Sequence, residues 1–193
     1  MNFRKFFAVA AIAASMACAG AQAQTSNWTI DPAHSSVEFV ILHAAVSHIH
    51  GSVTGVKGVV MFDEKNITNS SVVATMDANS VYTANEARDK HLKSNAFFNA
   101  AVSPTITFKS TAITRANGKL QMTGDLTLNG VTKPVTLDLE GRAPVTEKGG
   151  KVVSGFTATG TLKRTDFHFG PGFVAPAIGD EVKLTIDVEL DKI

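Results

Sequence analysis

The chain has 193 residues, 44% of them hydrophobic, with 18 basic and 17 acidic side chains for a formal net charge of +1. Binding to nucleic-acid phosphates needs a basic excess, and this near-balance lacks one. A single cysteine, Cys18, excludes an intramolecular disulfide framework.

In chain order, the first segment reads as a secretory leader over residues 1–23. Arg4 and Lys5 supply the basic start, FFAVAAIAASMACAG the apolar run, and Ala21 and Ala23 the small residues of an A-x-A cleavage site. The apolar run is shorter than the ~20 residues of a membrane-spanning helix. Ser15-Met16-Ala17 before Cys18 lacks the aliphatic residue usual three places upstream of a lipidated cysteine, which argues against a lipoprotein. Cleavage after Ala23 leaves residues 24–193 as one domain, cysteine-free, with no transmembrane segment and a periplasmic location expected.

The mature sequence alternates. SSVEFVILHAAV sets Val37, Phe39 and Ile41 against Glu38, Val40 and Leu42, and GVVMF and SSVVATMDA are short apolar strands. ANEARDKHLKSNAFF, Ala84 to Phe98, breaks the pattern with good helix formers, a start capped by Asn85, and Leu92, Phe97 and Phe98 toward the core. PTITFKS then puts Ile106 and Phe108 inside, LQMTGDLTL gives Leu120, Met122, Leu126 and Leu128, and PVTLDLE gives Val135, Leu137 and Leu139. In SGFTATGTLKRTDF the inner face is Phe156, Ala158, Gly160 and Leu162, whose small members leave space rather than fill it. EVKLTIDVEL closes the series with Val182, Leu184, Ile186, Val188 and Leu190. Period two with one wet face predicts antiparallel sheet, and TGVKG, EKNITNS, ANGK, NGVTKP and EKGGK supply the turns. About eight strands predict an all-β barrel or sandwich with one short helix segment. A closed barrel of that size fills its bore or holds one small ligand. Nine phenylalanines outside the leader suit either outcome.

HAAVSHIHG, His43 to Gly51, holds three of the six histidines. On a strand, His48 and His50 share a face and His43 lies on the other. Two imidazoles at i and i+2 chelate a metal weakly, and a tight zinc site needs a third ligand from His34, His91 or His168. The alternative is a solvated strand end. RDKH, Arg88 to His91, reads as a solvated helix face or a local ion pair. KRTDFHFG leaves two readings open: Arg164 and Asp166 both turned inward on a continuing strand, or both exposed because the strand ends by Lys163. No G-x-S-x-G elbow, phosphate loop or paired-carboxylate motif is present, so the reading is a binding protein and not an enzyme.

Taken together, N-x-x-R-D-x-H-L-x-S, P-T-I-T-F and G-D-L-T-x-x-G-V-T-K-P-V, with WTIDPAHSSVEFVILH before them and GFTATGTLKRTDF and IGDEVKLTIDVEL after, resemble the YceI-like family of polyisoprenoid-binding periplasmic proteins over nearly the whole mature chain. The resemblance implies an extended eight-stranded antiparallel lipocalin-like barrel with a helix beside it. It also implies an apolar tunnel enclosing a polyisoprenoid chain such as that of ubiquinone or a polyprenyl phosphate, which tips the bore toward a cavity. Burying such a tail yields roughly 25 cal/mol per Å2 of apolar area.

On this reading the expected walls are Phe39, Ile41, Phe62, Phe97, Phe98, Phe108, Leu126, Phe156, Phe167 and Phe169. His43, Arg88, Arg164 and Asp166 are the expected head-group contacts. No cofactor and no dedicated metal site is expected, and the ligand is an isoprenoid lipid or isoprenoid quinone. The competing readings are metal binding by His48 and His50, and a quinone shuttle serving a membrane cytochrome. A homodimer is left open.

Overall fold

The computed structural model describes residues 25–193, so the expected secretory leader and Cys18 lie outside the described residues. Among the described residues eleven strand segments occur: β1 (Thr25–Ile30), β2 (Ser36–His43), β3 (Ser47–Thr54), β4 (Lys57–Asp63), β5 (Ser71–Asp77), β6 (Thr105–Ala116), β7 (Lys119–Leu128), β8 (Val131–Arg142), β9 (Thr146–Lys148), β10 (Lys151–Lys163) and β11 (Ile178–Lys192). One helix, α1 (Glu86–Leu92), lies between β5 and β6.

The segments make an eight-stranded antiparallel barrel because two of the strands are broken. β11 pairs with β10 from Val153↔Asp191 to Lys163↔Glu181. Its other edge is shared, with β2 along Ile178 to Asp187 and β1 along Leu190 to Lys192. β1 in turn pairs with β4, and β2 with β3. β1 and β2 therefore act as one strand bent at residues 31–35, and β3 and β4 as another bent at Gly55, whose φ of 69° suits glycine. From β4 the ring continues through β5, β6, β7, β8 and β10 back to β11, which closes the sheet around a bore. β9 pairs only with the start of β10.

The inward parity is not uniform along the strands. On β6, Ile106 and Phe108 are buried, a register shift falls between Ser110 and Ala112, and Ile113 is the next buried apolar residue. On β8 the pairing with β10 runs Ala158↔Leu139 and then Phe156↔Arg142, three residues against two. The extra residue is a bulge containing Gly141 at φ 99°, and it turns Arg142 to the side of Leu137 and Leu139.

Arg142 seals the inner end. Its guanidinium carbon lies 4.7 Å from the centroid of the Trp28 ring and 4.4 Å from that of Phe62. Nη1 donates to both oxygens of Glu64, at 2.8 and 2.7 Å, and Nε donates to Ser154 Oγ at 3.1 Å. The Ser26 hydroxyl also donates to Glu64, at 2.6 Å, and the two interactions hold the Glu64 carboxyl below the usual range. Trp28 and Leu190 beneath are fully buried.

At the other end, α1 opens on Asn85, whose side chain accepts from Arg88 N at 3.0 Å. The expectation of a solvated RDKH face is corrected here. Asp89 is buried and accepts from both Thr83 N (2.8 Å) and Thr83 Oγ1 (2.5 Å), while Arg88 Nε donates to the same hydroxyl at 2.7 Å. These side chains bind the helix to the preceding segment and not to each other.

Candidate functional site

Between those ends the bore is hollow. An apolar cavity of about 520 Å3 runs through it, a volume in the roughly 300–1,000 Å3 range of small-molecule sites. It is bounded along β11 by Ile178, Val182, Leu184, Ile186 and Val188. That stretch of ten residue steps spans about 33 Å of strand, or about 25 Å along the axis at the tilt usual for a barrel. Small residues make the room: Ala158 lies on the wall with no accessible surface. Gly51 and Gly124 lie under aromatic rings, where an added Cβ would come within 2.2 Å of Phe39 Cζ and 2.4 Å of Phe108 Cζ respectively. The rings therefore lie along the wall.

Among the residues lining the cavity, only His43, Arg88, His91 and Arg164 have polar side chains. Arg164 is 3% exposed, and its five N–H groups are all directed at backbone carbonyls. Nε donates to Gly179 O and Nη1 to Phe169 O and Gly170 O, each at 2.8 Å, and Nη2 donates to Phe173 O and Ile178 O. Arg164 therefore fastens the 165–177 loop and has no donor left for a head group, a correction to its expected role. Arg88 differs. Nη2 donates to Thr83 O at 2.6 Å and Nε to Thr83 Oγ1, and Nη1 has no partner among the described residues. His43 and His91 are exposed at the rim.

An aromatic cluster narrows the mouth. Phe98 meets Phe169 edge-on at 4.6 Å, Phe97 meets Phe169 at 5.4 Å, and Phe97 stacks on Phe173 at 5.4 Å. His91 sits edge-on to Phe97 at 5.0 Å. Gly170 N donates to Ala96 O at 2.6 Å, which ties the loop to the segment after α1.

Of the positions expected from sequence, Phe39, Ile41, His43, Arg88, Phe97, Phe98, Phe108, Leu126, Phe156, Arg164 and Phe169 lie on the cavity. Phe62, Asp166 and Phe167 do not. Phe62 stacks under Arg142 at the sealed end. β10 stops at Lys163 and a 3-10 turn, Arg164–Phe167, follows. The strand ends by Lys163, as the second reading held, but the turn splits the pair: Arg164 goes inside and Asp166 stays exposed. Phe167 is 1% exposed and packs in a separate cluster with Phe98, Ile106 and Leu128.

Phe173 and His91 were not among the expected positions. Phe173 sits in a loop without periodicity, where only its aromatic character marks it. His91 follows Arg88 by three, the spacing of one helix face, and that was the available signal. His48 and His50 are exposed on β3, on the face opposite the cavity-lining Ile49 and Val53. Among the described residues, the grouping of three ligand-type side chains is elsewhere, at Asp31, His34 and Glu189, with His34 Nδ1 2.8 Å from Asp31.

Residues 28–190 match the model of the YceI-like domain. The chain is 41% identical over 156 residues to Protein YceI of Salmonella newport (strain SL254), covering 81% of each chain. It is 39% identical over 189 residues to a UPF0312 protein of Pseudomonas paraeruginosa, covering 96% of this chain and 97% of the other. Among solved structures, the YceI protein of Campylobacter jejuni superposes with a TM-score of 0.69 at 33% identity, over 77% of this chain and 87% of that one. A polyisoprenoid binding domain from Saccharophagus degradans, implicated in plant cell wall breakdown, superposes at 0.59 and 14% identity over 86% and 98%, a likeness of fold alone.

Proposed function

The chain belongs to the YceI-like domain family, and on that premise we propose that it is a non-catalytic carrier enclosing the hydrocarbon tail of an isoprenoid lipid or isoprenoid quinone. The observation that carries this is the 520 Å3 cavity whose depths offer no hydrogen-bonding side chain. A polar or compact substrate would lose its hydration there without compensation. A long branched hydrocarbon needs only shape and apolar contact, which the Phe, Leu, Ile and Val walls provide. The distant Saccharophagus degradans domain, described as polyisoprenoid binding, supports the same class of ligand.

Amphipathic polarity fits the geometry. The tail lies in the bore, and a small oxygen-bearing head stays at the rim near Arg88 Nη1, His43 and His91. Arg88 is the anchor, because Thr83 already orients its guanidinium through two hydrogen bonds. The leader-like residues 1–23 support export to the periplasm, where a carrier would shield such a tail from water.

Native mass spectrometry of protein recovered from its own cell envelope, followed by organic extraction, tests the reading. A stoichiometric quinone or polyprenyl species is the expected result. Protein that is empty and also refuses added ubiquinone would overturn it.

A further inference from the structure

The cavity does not fill the whole bore. Past its inner end lies a second void of about 20 Å3, and the two share three wall residues, Val72, Met122 and Phe156. These come from β5, β7 and β10, alternate members of the eight-stranded ring, so their side chains converge as a layer across the bore. Met122 is 2% exposed. Beyond the layer the small void runs to Arg142, whose bonds to Glu64 and stacking on Phe62 close it. The Arg142 barrier is held by charge and the layer is not. An unbranched thioether between two apolar voids is the softest partition available.

From this arrangement we infer that Met122, with Val72 and Phe156, sets the longest hydrocarbon chain the tunnel accepts. The inference rests on the isoprenoid-carrier reading and adds a determinant of chain length to it. Each further methylene that enters and is buried strengthens binding about fourfold. Affinity therefore climbs with chain length until the end of the chain meets this layer, and then levels off. Removing the Met122 side chain joins the two voids and moves that plateau to longer chains.

The test uses the purified, delipidated protein with all-trans prenols of stepwise increasing length, competed in pairs and read by native mass spectrometry. For Met122→Ala, the first prenol beyond the wild-type plateau should gain at least about tenfold. Shorter prenols should keep their wild-type ranking. Val72→Ala makes a smaller cut from another strand and should shift the plateau the same way, so it decides the question alone if Met122→Ala fails to fold. Folded variants that keep the wild-type plateau overturn the inference and leave the carrier reading intact. A wild-type protein that takes up no prenol of any length overturns the carrier reading, and the inference with it.

Discussion

Arg164 and Arg88 are two arginines on one cavity wall with opposite duties, and what separates them is hydrogen-bond accounting. Arg164 uses every donor on backbone carbonyls of the 165–177 loop and the start of β11, so it is structural. Arg164→Met should leave several buried carbonyls without partners and cost about 3 kcal/mol, read by urea denaturation. Limited proteolysis should then cut within residues 165–177, which the guanidinium no longer holds. Arg88 lines the cavity and spends only Nε and Nη2 on Thr83, which leaves Nη1 as the donor the carrier reading assigns to a ligand. Sequence placed both arginines near the mouth but could not tell them apart, because the difference lies in where the chain's carbonyls turn. Asp166 was misplaced for a related reason: a strand's two-residue period was carried three residues past Lys163 into a 3-10 turn.

Elements built on unbroken alternation were the legible part. Along β11, Val182, Leu184, Ile186 and Val188 all face the cavity, as period two requires, and the inner residues of β7 and β8 follow the same rule. Bulges were not legible, since the extra residue carries no strong composition signal. The inward turn of Ile113 on β6 and of Arg142 on β8 both follow from such shifts. Gly141 is where one of them becomes chemically demanding, because its φ of 99° excludes most side chains. Gly141→Val should cost about 1–3 kcal/mol, lowering Tm by about 2–4 °C per kcal/mol in a scanning calorimeter. Helix α1 was also legible, as the loss of alternation and Asn85 announced it, but its grip on Thr83 was not. That grip depends on Asp89 being buried, which charge bunching in sequence argues against.

For the molecule as a whole, hollowness and stability trade against each other, and both are measurable. Leu184 lines the cavity, so Leu184→Trp puts its larger side chain into the bore. It should reduce prenol uptake at least about tenfold while costing less than about 3 kcal/mol of stability. The pH response follows from the carboxylates. Asp31, Asp63, Glu64, Asp138 and Asp180 are all held below their usual range, chiefly by hydrogen bonds from His34, Asn69, Ser26, Gln121 and Thr165 respectively. A depressed pKa contributes stability that is full above the unfolded value of about 4 and lost as pH falls toward the folded value. Tm should be level from neutral pH down to about 5 and should decline below about 4. The seal at Arg142 has a consequence of its own. If the protein is the proposed carrier, a tube with one door imposes an order of traffic: the tail goes in first, and the head, last to arrive, is first to leave. Whatever takes the cargo must grip its head and draw the tail out behind it. Each added carbon lengthens that withdrawal, so dwell time becomes a readout of cargo length.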